Sequence, residues 1–512
     1  MADTKREIER KYEATPETRL PDLTRVAGVA AVLDQGVMEL DAVYYDTADL
    51  RLAAASITLR RRTGGGDAGW HLKLPVAPGV RDEIGAPLAP RIPRGLAALV
   101  RARTRDAELV PLVRLRSTRE VHHLMSDGDG GGNGEGDGTL LAELSRDAVR
   151  AERLDDGRTA AWDEIEVELA DDGDPAFLDR TGKRLRKAGI RPSSAPSKLA
   201  RALAETGFDV PATEPATPSD AGGYILAYLR KQSAALLAYD PAVRRDLPDS
   251  VHQMRIATRR LRSAFRTYRR ILDRAVTDPI GEELKWLAGE LGVARDQEVL
   301  AERLRSRIGA VPRTLLLGPV RGRLRVWSVA RGAGARRRAV TTLDSRRYLA
   351  LLDSLDALLA DPPLLKAASG PAATVIPKAV LKDYGRLEQR VTHALDLPPG
   401  QERDLALHDA RKAAKRTRYA AEAAVPALGR PAKRFARRMK ALQTVLGDHQ
   451  DSVVARDALR DLAIQAHAAG ESAFTWGLLY AREQSTAAEL EREALGVWAR
   501  ASAGKLRAAL GG

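Results

Sequence analysis

The sequence predicts an α+β multidomain chain: a closed β barrel with a polar interior, then an all-α helical bundle with an internal two-fold repeat. Three observations carry that reading. Charged and apolar residues alternate at a period of two through the first part of the chain. The period becomes helical beyond a proline-rich stretch, and one cationic pattern then occurs twice. A length of 512 residues fits two or more domains.

The strand evidence starts at once. Glu7, Glu9 and Lys11 alternate in Glu7-Ile8-Glu9-Arg10-Lys11, and an extended strand sends every second side chain to the same face. Thr58, Arg60 and Arg62 share a face, as do His71 and Lys73, with Trp70, Leu72 and Leu74 opposite. Arg81 and Glu83 lie two apart. Arg114 and Arg116 repeat the spacing, with Arg119 shortly after. Glu143, Ser145 and Asp147 alternate, and Glu164, Glu166 and Glu168 alternate with Ile165, Val167 and Leu169. A flat sheet with one solvated face explains alternation, but not so many Arg, Lys and Glu with so few Ser, Thr or Gln. A barrel explains both, because closure gives every strand an inside.

The charges sort by chemistry. Lys11, Arg60, Arg62, Lys73, Arg81, Arg116 and Arg119 suit an anion with many phosphoryl oxygens, since guanidinium forks match phosphate geometry. Glu7, Glu9, Glu166 and Glu168 would repel that anion unless a divalent cation sat between them. Hard oxygen ligands suit Mg²⁺ or Mn²⁺, which keep several waters and bridge to phosphate. The inferred chemistry is phosphoryl transfer to water, driven by positioning and charge neutralisation.

Six motifs occur in an order that resembles the CYTH family, the triphosphate tunnel metalloenzymes. They are Glu7-x-Glu9-x-Lys11, Tyr44-Tyr45-Asp46-Thr47, Leu59-Arg60-Arg61-Arg62, the Lys73 strand, Glu164-Ile165-Glu166-Val167-Glu168 and Ser197-Lys198. The resemblance covers roughly residues 3–205. It implies an eight-stranded antiparallel tunnel with flanking helices that takes triphosphates end-on. It also implies that Glu7, Glu9, Glu166 and Glu168, with Asp147, hold the metal. Lys11, Arg60, Arg62, Lys73, Arg81, Arg116, Arg119 and Lys198 would bind substrate, and Glu7, Glu9 and Lys11 would form the catalytic set. The expected activity is hydrolysis of inorganic triphosphate or short polyphosphate. Two alternatives stay open: an adenylate cyclase or thiamine triphosphatase, with Trp70 or Trp162 as a base-stacking surface, and a non-enzymatic binder of polyphosphate or nucleic acid.

Asp127–Gly138 is more than half glycine and reads as a hairpin tip. A calcium loop needs a ligand at its fifth position and Glu at its twelfth, and those places hold Gly131 and Gly138. The chain has no cysteine, so disulfide and thiol chemistry are excluded. Its first residues lack the apolar core of a secretory signal, and no apolar run reaches the roughly 20 residues of a membrane helix. The expectation is a cytoplasmic protein without membrane contact, associated with polyphosphate granules.

Net charge is +14, unevenly placed. Residues 1–205 hold 32 Lys+Arg against 35 Asp+Glu; the remainder holds 51 against 34. The expected domains are therefore 1–205, a proline-bearing linker at 206–219, and a basic helical domain at 220–512 with halves near 220–360 and 375–512. Glycine and proline breaks near 246–249, 309–319, 361–371 and 426–431 divide its helices.

Within the helical part His252, Arg255, Arg259 and Arg262 recur as His408, Arg411, Lys415 and Arg418, at offsets 0, 3, 7 and 10. At about 100° per residue these positions fall in an arc of roughly 80° on one helix face. Each copy is followed by a similar signature, Leu291-Gly292 with Arg295-Asp296 and Leu446-Gly447 with Asp451, although Gln450 stands where the first copy has Arg295. Arg260, Arg266, Lys412 and Arg416 broaden the stripe. A single stripe is commonly just a solvated face. Two matched copies predict a cationic groove for a long, repetitive anion, with Asp296 and Asp451 orienting its bases. The groove lacks the interleaved aromatics of a single-strand nucleic-acid site. This half, roughly 220–505, resembles the CHAD family, which implies a two-fold helical bundle that binds inorganic polyphosphate.

Overall fold

The computed structural model describes residues 4–127, 138–211, 217–332 and 334–511, with the side chains of 293–295, 331 and 332 outside the description. The chain divides into two compact units, Met1–Glu214 and Pro215–Gly512.

In the first unit eight strands close into a barrel: β1 (Thr4–Ala14), β2 (Ala31–Asp46), β3 (Thr58–Thr63), β4 (Gly69–Ala77), β5 (Val80–Pro87), β6 (Val110–Met125), β7 (Leu140–Arg153) and β8 (Thr159–Leu169). The order is β1-β5-β4-β3-β2-β6-β7-β8, every pair is antiparallel, and β8 returns to β1 through Glu9 opposite Glu168. Three helices complete the unit: α1 (Arg94–Thr104), α2 (Ala176–Lys187) and α3 (Lys198–Glu205).

The outward apolar residues need cover. On β3–β5, Leu59, Trp70, Leu72 and Ile84 lie under Leu96 and Val100 of α1. On β1 and β6–β8, Tyr12, Leu144, Ile165 and Val167 lie under Phe177, Leu178 and Leu185 of α2. The third helix has a different place. Leu199, Ala202 and Leu203 pack on Tyr44, Val113, Leu115, Val149 and Trp162, whose strand parity is that of the inward charges. So α3 fills one end of the barrel interior. Burying Leu199 and Leu203 contributes about 1.5–3 kcal/mol each, which fixes the helix at its first residue, Lys198. The Ser197 hydroxyl caps it by accepting from Ala200 N at 3.0 Å.

Asp46, in the Tyr-Tyr-Asp-Thr run, is a structural residue. Its carboxylate accepts the backbone N–H groups of Thr47, Leu52 and Ala53 at 2.7, 2.8 and 2.8 Å and so organises the turn after β2. The glycine run falls outside the described residues apart from Asp127 and Gly138; its flanks pair, with Met125 opposite Leu140. The segment read as a linker begins inside the barrel unit. Phe208 and Val210 pack on the interior cluster, and the Arg153 guanidinium lies 3.8 Å from the Phe208 ring centre.

The second unit is helical among its described residues: α4 (Ala221–Arg244), α5 (Ser250–Thr267), α6 (Arg274–Glu290), α7 (Gly292–Gly309), α8 (Val320–Gly332), α9 (Ala335–Leu343), α10 (Arg346–Ala360), α11 (Ala372–Asp396), α12 (Gln401–Leu428), α13 (Arg430–Ala468), α14 (Phe474–Ala501) and α15 (Gly504–Gly511). The expected breaks separate α4 from α5, α7 from α8, α10 from α11 and α12 from α13, the last at Gly429 with φ 63°. The two stripes are borne by α5 and α12. No helix among the described residues is long and apolar enough to cross a membrane.

The repeated Leu-Gly signature now has a physical reason. A Cβ on Gly292 would stand 2.9 Å from the Arg255 guanidinium, and one on Gly447 would stand 3.4 Å from that of Arg411. Glycine lets Arg255 lie flat on α7 and Arg411 on α13, each within reach of the aspartate four residues on. Arg255 reaches Asp296 at 2.9 and 3.2 Å; Arg411 reaches Asp451 at 3.7 Å.

Candidate functional site

The barrel encloses a cavity of about 390 Å³ between α3 and the far rim. Eight basic side chains line it: Lys5, Lys11, Arg60, Arg62, Lys73, Arg81, Arg119 and Lys198. Seven acids face them: Glu7, Glu9, Asp67, Glu83, Glu143, Glu166 and Glu168. Each cation holds an acid or a carbonyl. Lys73 donates to Glu7 at 2.6 Å, and Lys11 to Glu9 at 3.2 Å and to Glu166. Lys5 pairs with Glu168 at 2.6 Å, Arg62 with Asp67, and Arg60 with Glu83 at 3.6 Å. The Arg81 guanidinium donates to Pro196 O at 2.8 Å, tying β5 to the segment that leads into α3.

The deepest part of the wall is a buried charge network. Lys198 Nζ meets Asp147 at 3.1 Å, Glu164 at 2.8 Å and Glu166 at 2.5 Å. Arg119 forks onto Asp147 at 2.7 and 2.9 Å and reaches Glu166 at 3.0 Å. Burial works against the Glu166 charge, but Lys11, Lys198 and Arg119 hold its pKa well below the usual carboxylate value. Burial, with Arg60 and Arg119 nearby, pulls Arg62 down to about 9.

The helical unit brings its two stripes to one place. Arg259 loses basicity to burial and to Arg255, and senses Arg411 as well; Lys415 is pulled down to about 7 by burial, Arg411 and Arg259. Helices α5 and α12 pack against each other, and Arg255, Arg259, Arg411 and Lys415 on their stripes lie close enough to repel one another. His408 borders them; burial, Lys412 and Arg411 lower its pKa. Arg260 and Arg418 turn instead to Glu422, at 2.9 and 2.6 Å. Arg262, Arg266 and Arg416 line a second cavity further along α5. Lys412 is exposed on Asp409 at 3.0 Å. His252 lies on α5, one turn before Arg255. The side chain of Arg295 is outside the described residues.

Residues 5–203 match the CYTH domain and residues 227–460 the CHAD domain. Two proteins of Mycobacterium tuberculosis, Rv2226 of strain H37Rv and MT2285 of strain CDC 1551, are described as uncharacterized. Each is 39% identical to the chain over 498 residues, 94% of this chain and 93% of theirs. The chain belongs to the CYTH–CHAD family. Solved structures with likeness include PptA from Streptomyces chartreusis, at 22% identity and TM-score 0.46, covering 55% of this chain and 99% of that one. Another is the CHAD domain from the plant Ricinus communis, at 26% identity and TM-score 0.44, covering 56% and 94%.

The CYTH cavity has a donor set that fits a divalent cation. Glu7 is 2% exposed, and its Oε2 atom is buried without a hydrogen-bond partner on the protein while the residue lines the cavity. Glu9 and Glu168 stand opposite each other on neighbouring strands. Asp147, Glu164 and Glu166 each offer an oxygen within 4.8 Å of the others, but the Lys198 ammonium already contacts all three.

Two expectations change. Arg116 is not in the tunnel. It sits three residues from Arg119, an odd step that puts it on the outer face, 53% exposed beside Asp41 and Glu152 at 3.7 and 3.8 Å. Asp147 is fully buried behind the cavity wall and held by Arg119 and Lys198, so it acts on those bases. The cavity also takes residues to which the sequence assigned no site role. Glu83 gathers His71 Nδ1 at 2.9 Å, Arg60 at 3.6 Å and Lys73 at 3.7 Å. The Tyr44 hydroxyl accepts from Arg60 at 3.3 Å. The spacing of Glu83 from Arg81 was its only sequence signal. Neither candidate stacking residue is there: Trp70 faces outward under α1 and donates to Ala89 O at 2.9 Å, and Trp162 packs on α3.

Proposed function

We propose that the CYTH domain hydrolyses the phosphoanhydride bond of inorganic triphosphate or short polyphosphate with Mg²⁺ or Mn²⁺, and that the CHAD domain binds long-chain polyphosphate. One observation carries the first half: eight bases face seven acids in one closed cavity. A bare polyanion would gain little net attraction there. An anion that brings divalent cations satisfies both sets at once.

The roles follow from the pairing. Lys11, Arg60, Arg62, Lys73 and Arg119 exchange carboxylate partners for phosphoryl oxygens as substrate enters, and Arg81 adds a donor held by the Pro196 carbonyl, at little cost in reorganisation. Glu7, Glu9, Glu166 and Glu168 would hold the metal. An ion held there would supply charge neutralisation for the phosphoryl oxygens. Lys198 keeps the deep carboxylates ionised and in place from the N-terminus of α3. Water attack is then a matter of alignment and charge neutralisation.

Trp70 and Trp162 lie off the cavity wall, and Tyr44 on it has its hydroxyl engaged by Arg60, which weighs against recognition of a nucleobase or thiamine ring. A panel of inorganic triphosphate, ATP and thiamine triphosphate, with products identified, tests this: triphosphate should be cleaved to phosphate and diphosphate faster than either alternative. Cyclic AMP as the main product would overturn the reading.

For the CHAD domain the expected result is polyphosphate binding by the full chain that weakens with salt. Arg259→Ala and Arg411→Ala should each lose about 1.5–3 kcal/mol of affinity, roughly tenfold or more. Competition with RNA separates polyphosphate from nucleic acid. Binding should also depend on pH. Lys415 has its pKa lowered to about 7, so a bound polyanion draws a proton onto it near neutrality. Affinity should fall as pH rises through 7, and Lys415→Arg, always charged, should flatten that part of the profile. An unchanged profile would remove Lys415 from the site.

A further inference from the structure

The two CHAD repeats are offset by 156 residues, from His252 to His408. The same offset pairs Arg260 with Arg416 and Arg266 with Glu422. It also pairs two cavities. One, of about 590 Å³, lies among α4, α5, α12 and the start of α13, where Arg260 faces Glu422. The other, of about 440 Å³, lies among α11, α12, α5 and α6, where Arg416 faces Arg266. Helix α11 stands to α12 as α4 stands to α5, so these are the two matching ends of the central groove.

The ends have diverged. In the first cavity Arg260 and Arg418, which connect it to the groove, are both locked on Glu422 at 2.9 and 2.6 Å. Its walls include Tyr224, Tyr228, Val425 and Pro426, and its lysines stand exposed at the mouth. In the second cavity the Glu422 position holds Arg266, and Arg262, Arg269, Arg386 and Arg416 converge beside it. The acids there do not neutralise it. Glu282 reaches Arg266 only at 3.7 Å and is shared with Lys285 at 3.1 Å. Asp383 reaches Arg386 at 3.0 Å and Arg416 at 3.7 Å, and also accepts from Thr267 at 2.5 Å; Asp278 is held by Arg274 at 2.6 Å. Burial lowers the basicity of both Arg262 and Arg416, and Arg266 adds to the effect on each. The field is therefore continuous from Arg259 to Arg262 along α5 and from Lys415 to Arg416 along α12.

We propose that a polyphosphate chain held in the central groove leaves it in one direction only, through the guanidinium-lined cavity of Arg262, Arg266, Arg269, Arg386 and Arg416, while Glu422 closes the matching exit. Arg269 and Arg386 thereby join the binding surface, outside the repeated stripe. The chain sits asymmetrically on a pseudo-symmetric bundle. This rests on the polyphosphate reading of the CHAD domain.

The test titrates the full-length protein with long-chain polyphosphate, reading affinity and the number of phosphate units occluded per chain. Arg269→Ala/Arg386→Ala should shorten the occluded length and weaken binding about tenfold. Glu422→Gln frees Arg260 and Arg418, and should lengthen it. A general gain of positive charge would raise affinity without changing occlusion, so occlusion decides. Wild-type binding with occlusion unchanged in both variants would overturn the proposal alone. No binding by the wild-type chain would overturn the polyphosphate reading, and the proposal with it.

Discussion

Glu9→Gln should reduce phosphate release from triphosphate by about 100-fold or more, the scale expected when a metal site loses a carboxylate or its support. Glutamine keeps the size and hydrogen-bonding reach of glutamate and removes only the charge. Glu9 is 7% exposed, lines the cavity and holds Lys11 at 3.2 Å. Losing its charge does two things. On the proposed function the metal would lose an anionic ligand, and Lys11 would shift toward Glu166. Glu7→Gln should act similarly, because Glu7 presents an oxygen without a protein partner to the same space. Raising the Mg²⁺ or Mn²⁺ concentration should recover part of the rate in either variant, since weakened metal affinity yields to mass action. Full activity in both variants would defeat the assignment. A uniform loss that no metal concentration restores would move these residues from metal binding to another step.

Lys198→Met should lower stability by about 3–5 kcal/mol, the cost of stripping the partner from buried charges. Lys198 has a side chain 10% exposed and touches three carboxylates, two of them under 5% exposed as side chains. Methionine fills much of the space, so the loss reports charge and not a cavity. The pH dependence has a definite sign. In the wild type, burial opposes ionisation of Asp147 and Glu166, but Lys198 and Arg119, joined by Lys11 for Glu166, lower both pKa values. Their contribution is therefore present above the unfolded carboxylate range near 4 and fades as pH falls through the lower folded values. In the variant the carboxylates repel one another and their folded pKa values rise. Its deficit should grow as pH rises and shrink toward acid. Thermal unfolding at mildly acidic and at alkaline pH measures this; a deficit independent of pH would assign Lys198 to packing alone.

Much of this was legible in the strand alternation. Glu7, Glu9, Lys11, Arg60, Arg62, Lys73, Arg81, Glu166 and Glu168 reach the cavity because each sits at the parity its motif implies. The failures have one physical origin. Which parity faces inward is settled strand by strand, and on β6 Arg119 sets it. Arg114 and Arg116 alternate just as convincingly, yet face solvent. The interior is also not charged along its whole length. Val113, Leu115, Val149 and Ala151 point inward because α3 occupies that end, and apolar inward residues look like any outward face. In the helical half the spacing located the stripe. It also gave Asp296 as a partner of the stripe, and Asp296 holds Arg255, but it could not show that Glu422 draws Arg260 away, since Glu422 lies on another helix.

Six of the seven acids in the tunnel pair with a lysine or arginine of the same barrel, and Glu143 lies 3.5 Å from His123. The protein thus folds around its own counter-ions. Classical zinc fingers, by contrast, are shapeless until their ion arrives. On the proposed function, these pairings would hold the acids and bases in place while metal and phosphate are away, and a chelator should leave the thermal unfolding temperature nearly unchanged.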